Sequence, residues 1–421
     1  MEWVGRAKID FAHSATPLSL KKKDGSTTDL FRVVEAAVPP CHLNPMLFNG
    51  HVQTMWTAVK EHGPQIYYRR NVFEAEKETV AGSFTVDFVT EPHEDEDPSL
   101  PPRTAYFGKE VFSGLGSDDK RPMLIALHGL SGGSHEIYLR HGIAPFLKEG
   151  SDWGVCVLNA RGCANSKITT GALFNARATW DLRQLVKWLR KTFPNRPLFA
   201  VGFSLGANIL TNYVGEEGSS CQLNAAISVG NPFDLEISNK SLQRTMLGKN
   251  VYSKTMGNSL KRLIAKHKED LLKTSKLDFD RIESVTYIHE FDRAVQTVIW
   301  GYPTETAYYR DASSCDAVLA VRIPFLAISA LDDPIAVAEA IPHEEFKQNP
   351  YTVLCTTSLG GHLSWFEVGG GRWFAKPLYN FLASMVSEID LDAITPDVNA
   401  NLTGLESVSE FAATRRKLQL L

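Results

Sequence analysis

Short, nearly unbroken apolar runs alternate with stretches whose apolar positions recur every three to four residues, and this alternation predicts a mostly parallel sheet covered by helices on both faces. Eight runs read as strands: Ile66 to Phe73, Phe84 to Val89, Met123 to Leu127, Val155 to Asn159, Leu198 to Phe203, Ala225 to Val229, Phe325 to Ala330 and Thr352 to Thr356. Between the fourth and fifth, Leu182, Leu185, Val186, Leu189 and Phe193 form an apolar stripe at i, i+3, i+4, i+7 and i+11, and Pro194 ends it. Residues 231–310 break the alternation with helix-like, aromatic-rich sequence. An excursion of that size between the sixth and seventh strands predicts a helical lid.

The flanks are less regular. Residues 1–40 are mixed and read as an amino-terminal extension, residues 41–385 as the main domain, and residues 386–421, where the alternation stops, as a carboxy-terminal extension. Residues 42–56, HLNPMLFNGHVQTMW, are punctuated by Pro45 and Gly50 and read as a helix or loop docked on the domain, with lining of a site as the alternative. Thr90 to Arg121 is polar and proline-containing, and predicts a surface insertion.

The fifth run leads into Gly202-Phe203-Ser204-Leu205-Gly206, after which helical spacing begins at once. A strand, a sharp turn and a helix in that order form the setting of a nucleophile elbow, in which residues without bulk two before and two after the serine let strand and helix pass closely. Ser204 is the candidate nucleophile. A second match, Gly129-Leu130-Ser131-Gly132-Gly133, is followed by further glycine and Ser134 before any helical spacing, so Ser131 reads as a loop residue.

A serine hydroxyl needs a base, and the base needs a carboxylate to hold its tautomer. Both follow in the order such a sheet requires, each just past a strand: Asp332-Asp333-Pro334 after the seventh and Gly360-Gly361-His362 after the eighth. Asp333 is preferred because Pro334 fixes the turn behind it, leaving Asp332 to satisfy the same turn's amides; His343, among helix-like residues, reads as a surface histidine. The oxyanion donors are expected from the amides of Leu205 and Leu130, with His128 holding the glycine-rich loop.

With 421 residues, a formal charge of −4 and a sequence pI near 6.3, the chain carries no electrostatic footprint for nucleic acid. Lys21 to Lys23 and Glu94 to Asp97 read as solvated loops. No run of apolar residues is long enough for a membrane span, the first thirty residues lack a signal pattern, and six scattered cysteines without CxxC spacing predict reduced thiols in place of disulfides or a metal site; no cofactor is expected, and the sequons at Asn239 and Asn401 then carry no meaning.

NGHVQT (49–54), LHGLSGG (127–133), NARGCANS (159–166), GFSLGAN (202–208), DDP (332–334), GGHLSWFE (360–367) and the stretch 291–314 together resemble one α/β-hydrolase subfamily. It includes the medium-chain fatty-acid ethyl ester synthase/esterases, related animal lipases and plant embryogenesis-associated proteins. The resemblance implies the α/β-hydrolase fold, a Ser204, Asp333 and His362 triad, and esterase or monoacylglycerol-lipase activity. In fungal members it also implies acyl transfer from acyl-CoA to an alcohol. Animal members carry an amino-terminal membrane anchor and an HxxxxD motif linked to acyl transfer; neither is read here, which sets hydrolysis ahead of transfer. The expected partners are a small ester, or acyl-CoA and an alcohol, in the cytoplasm, with peripheral contact to lipid droplets or intracellular membranes. A non-catalytic scaffold of the same fold is the alternative from another class.

Overall fold

The computed structural model describes residues 5–59, 62–76, 79–95 and 97–394. Ten strands form one sheet: β1 (Ile9–His13), β2 (Tyr67–Glu74), β3 (Ser83–Thr90), β4 (Thr104–Tyr106), β5 (Met123–Leu127), β6 (Gly154–Asn159), β7 (Leu198–Phe203), β8 (Ala225–Val229), β9 (Phe325–Ala330) and β10 (Thr352–Thr357). Their spatial order is β1-β10-β9-β8-β7-β5-β6-β3-β2-β4. All pairs from β6 across to β10 are parallel; β3 joins β6, β2 joins β3 and β1 joins β10 antiparallel.

The eight expected strands are all present with small shifts in bounds, and the expected count of eight is corrected to ten by one short strand at each edge. β1 runs Ile-Asp-Phe-Ala-His and leaves its residues partly exposed, so no apolar run marks it. β4, inside the expected insertion at 90–121, is only three residues long. The segment before residue 41 thus supplies an edge strand and the helix α1 (Leu30–Ala37). Of the expected extension 386–421, residues 395–421 lie outside the described residues, as do the ending KLQLL and Asn401. The described part is tied down: Ile389 is fully buried and bridges Lys22.

Because strand side chains alternate in direction, the central strands feed two cores. Met123, Ile125 and Leu127 of β5 enter one with the stripe of α4 (Thr179–Thr192) and with Leu210 and Val214 of α5 (Leu205–Glu217). Leu124 and Ala126 enter the other with α1, α3 (Ile137–Ile143) and α10 (Ala375–Ser387). Between α1 and β2 lies α2 (Gly50–Val59). From β8 to β9 the chain is helical, including α6 (Leu235–Arg244), α7 (Lys254–Lys266), α8 (Ile288–Ala294) and α9 (Glu305–Ala312), and adds no strand to the sheet.

In-register parallel pairing aligns the strand ends. Gly202 stands beside Leu127, Phe203 beside Val229, Val229 beside Ile328 and Ala330 beside Thr357. The segments that follow, 128–133, 204, 331–333 and 358–362, therefore leave from one edge of the sheet.

Candidate active site

Ser204 ends β7 and precedes α5 with φ 52° and ψ −117°, a region sparsely populated for any residue with a side chain. Its neighbours show why the turn tolerates no bulk. A Cβ on Gly202 would stand 2.4 Å from the Gly206 carbonyl oxygen, and one on Gly206 would stand 2.5 Å from the oxygens of both Leu127 and His128. The Ser204 amide donates to the Val229 carbonyl at 2.9 Å, which ties the turn to β8.

The structure brings Ser204, His362 and Asp333 together. His362 Nε2 lies 2.8 Å from Ser204 Oγ, and Nδ1 lies 2.8 Å from Asp333 Oδ2. Asp333 is 4% exposed, and its other oxygen accepts the amides of Ile335 at 2.7 Å and Ala336 at 2.9 Å. The carboxylate is thus fixed at both oxygens, and one of them faces the imidazole. His343 begins a separate short helix, and Ser131 sits in the loop after β5 with φ 54°.

Asp332 takes a different position from the one expected. The turn's own amides go to Asp333, while Asp332 Oδ1 reaches across to accept the Gly361 amide at 2.9 Å, pinning the loop that carries His362. Burial pushes its carboxyl up to about 6, against the Gly361 bond, and the nearby Asp333 charge adds to the rise.

The loop after β5 is held from behind. His128 Nε2 accepts the Ala160 amide at 3.0 Å, so its proton is on Nδ1, which donates to the Gly129 carbonyl at 2.6 Å. Burial lowers this histidine to about 4, so it stays neutral and anchors the loop. The Gly129 amide donates to Tyr138 Oη at 2.7 Å. Beneath lies a buried network that the sequence did not reveal. Arg70 forks onto Asp87 at 2.6 and 2.8 Å, and Asp87 also accepts from Ser134 and Asn159 at 2.5 and 2.8 Å. Arg70, Asp87, Ser134 and Asn159 are all fully buried, and charged residues inside β2 and β3 were the one signal available.

The NGHVQT segment docks on the His362 loop, as α2 and its approach. Asn49 Oδ1 accepts the Val52 amide at 2.9 Å; Gln53 Oε1 accepts the Phe366 amide at 2.9 Å; Thr54 Oγ1 accepts the His362 amide at 2.9 Å while donating to the Gly50 carbonyl at 2.6 Å. His51 turns the other way, 2.9 Å from the hydroxyl of Tyr252 in the helical excursion.

Ser204, Leu130 and Leu205 border a cavity of ≈ 100 Å³, whose remaining wall comes mainly from the excursion between β8 and β9. Among the described residues, the amides of Leu130 and Leu205 meet no backbone acceptor. No group of three or more His, Cys, Asp or Glu is placed to hold a metal ion among the described residues. Such an arrangement supplies a hydroxyl, a base with a fixed tautomer, unengaged amides beside the hydroxyl and a chamber of aliphatic and polar side chains.

A family model described as alpha/beta hydrolase fold matches residues 122–367. The chain is 38% identical over 377 residues to the monoacylglycerol lipase of Saccharomyces cerevisiae, spanning 84% of this chain and 82% of that protein. It is 33% identical over 343 residues to the embryogenesis-associated protein EMB8 of Picea glauca, spanning 81% and 70% respectively. To the medium-chain fatty acid ethyl ester synthase/esterase 2 of Saccharomyces cerevisiae it is 31% identical over 386 residues, spanning 80% and 84%.

Proposed function

The chain belongs to the α/β-hydrolase fold family, and we propose that it works there as a serine carboxylic ester hydrolase on medium-chain fatty-acid esters, of the monoacylglycerol-lipase kind. The observation that carries this reading is the unbroken relay from Asp333 through His362 to Ser204, with 2.8 Å at each junction. Ser204 Oγ attacks the ester carbonyl while His362 Nε2 takes its proton, and Asp333 stabilises the imidazolium without itself becoming protonated. Negative charge growing on the carbonyl oxygen is met by the amides of Leu130 and Leu205, a donor of this kind lowering the barrier by about 3 to 4 kcal/mol. Collapse breaks the ester bond, His362 gives its proton to the departing alcohol, and the acyl group stays on Ser204 until water, activated by the same imidazole, releases it.

The experiment is labelling and kinetics on the full chain. Ser204→Ala should abolish fluorophosphonate labelling and lower kcat on a p-nitrophenyl ester on the order of a million-fold. Unchanged turnover would sink the reading.

The name of the third relative favours a second reading, in which an alcohol replaces water at the acyl-enzyme. Supplying octanoyl-CoA with ethanol tests it: formation of ethyl octanoate supports transfer, and free octanoate alone removes it. Among the described residues no helix is long and apolar enough to cross a membrane, and peripheral contact with a lipid surface is part of the same reading.

A further inference from the structure

Two kinds of side chain line the cavity onto which Ser204 opens. Leu205, Leu242, Leu260 and Ile335 are aliphatic and suit an acyl chain. Ser238 and Asn239 of α6, Asp292 of α8 and Gln296 just beyond it are not, and no Lys or Arg lines the cavity with them. Three of these four carry a side-chain oxygen with no partner among the described residues: Ser238 Oγ, Asn239 Oδ1 and Gln296 Oε1. Ser238, Asp292 and Gln296 are each more than nine-tenths buried, and Asp292 accepts the Tyr309 hydroxyl at 2.6 Å with no cation beside it among the described residues. The adjacent Arg293 is engaged by Glu305 instead. Buried acceptors without donors are costly and persist where a ligand supplies the donors.

A ligand for this wall must donate hydrogen bonds. Carboxylates and phosphates bring only further acceptors to it, and a saturated acyl chain has nothing to offer; the hydroxyls of a polyol do. We infer that Ser238, Asn239, Asp292 and Gln296 form a specificity-determining subsite that accepts hydrogen bonds from the free hydroxyls of the ester's alcohol part, so that partial esters of polyols such as glycerol are favoured over esters of simple alcohols. This rests on the hydrolase reading above and specifies the substrate of that same site. Burial pushes the Asp292 carboxyl up to about 7, so near neutral pH it is partly uncharged, which suits a neutral hydroxyl better than an ammonium group.

The test compares kcat/KM for monodecanoylglycerol and ethyl decanoate in the purified full chain and in Gln296→Leu and Ser238→Ala, each first shown to label with a fluorophosphonate and to melt cooperatively. Ser238→Ala removes a single oxygen and guards against a Gln296→Leu chain that does not fold. The expected result is a wild-type preference for the glyceryl ester of about tenfold or more, reduced several-fold by each substitution. A ratio that stays the same in both variants overturns the subsite. So does a stronger preference for the N,N-dimethylaminoethyl ester, which would make it a cation site, or for ethyl 10-hydroxydecanoate, which would make it an acyl-chain site. Loss of labelling and of turnover on every ester in the wild type would instead overturn the hydrolase reading and the subsite together.

Discussion

At the scale of single residues, the bonds around His362 separate what a motif announces from what it leaves unsaid. Ser204, Asp333 and His362 were legible because each lies within a few residues of the end of an apolar run, in the order the sheet demands. Thr54 was not, because its contact with the site is the amide of a residue more than 300 positions away, and neither periodicity nor spacing encodes that. Its importance is measurable. Thr54→Val keeps the branched shape but removes the acceptor, so the His362 amide loses its partner and the ring shifts; kcat should fall roughly 10- to 100-fold with KM little changed. Thr54→Ser should restore most of it in the same steady-state assay. Asp292 gives a second prediction, with a sign fixed by linkage. Its folded pKa, about 7, lies above the ordinary carboxylate value, so the folded state holds a proton that the unfolded chain has released between roughly pH 4 and 7. The resulting stability is present at low pH and lost as pH rises through 7. Asp292→Asn, uncharged throughout, should therefore raise Tm more at pH 8 than at pH 5; an equal shift at both would show that the carboxyl is not held protonated.

At the scale of elements, the sheet was readable where burial on both faces produced continuous apolar sequence, and hidden where it did not. β1 alternates Asp10 and polar neighbours with apolar residues at an open edge, and β4 is too short to show any pattern. β2 and β3 were found, but nothing in their apolar pattern marks Arg70 and Asp87, which are both fully buried. Removing one partner of such a pair strands the other charge. Arg70→Met should cost about 3 to 5 kcal/mol in chemical denaturation, since Asp87 then lacks its guanidinium. The close approach of α2 to the turn after β9 supplies the other element-scale test. A Cβ on Gly50 would stand 1.8 Å from the Asp332 backbone oxygen, and backbone cannot step aside as a flexible side chain would. Gly50→Ala should destabilise by about 1 to 3 kcal/mol and reduce kcat, because the loops bearing Asp333 and His362 both abut this helix. A melting temperature and kcat like wild type would mean that α2 can slide without disturbing the site.

At the scale of the whole molecule, charge and exposed apolar surface coincide near the site in a way the net charge conceals. The chain is formally −4, yet from Lys240 to Lys268 every charged residue is a Lys or an Arg. Within that stretch Met246 is 81% exposed and Leu247 41%. Tyr252, a few residues on, bonds His51 of α2, which ties this stretch to a helix whose Met55 and Trp56 are also exposed, with Phe48 and Met46 exposed just before it. Thr54, on that same helix, touches the His362 loop. Lys240 and Lys268, at the ends of that stretch, pair with Glu236 and Glu283, but scattered apolar side chains beside the remaining lysines and arginines are the pattern that an anionic lipid surface would engage. Each basic side chain near such a surface contributes about 1 kcal/mol, screened by salt. The full chain should therefore float with vesicles containing phosphatidylserine, bind phosphatidylcholine vesicles weakly, and release at roughly 0.5 M salt, where the Debye length falls well below 10 Å. Met246→Glu with Leu247→Glu should weaken that binding by about tenfold or more, and hydrolysis of a monomeric water-soluble ester measured alongside separates lost docking from lost chemistry. Equal binding to neutral and anionic vesicles, or binding insensitive to both salt and the double substitution, would place the lipid contact elsewhere and leave the basic stretch as an ordinary solvated surface.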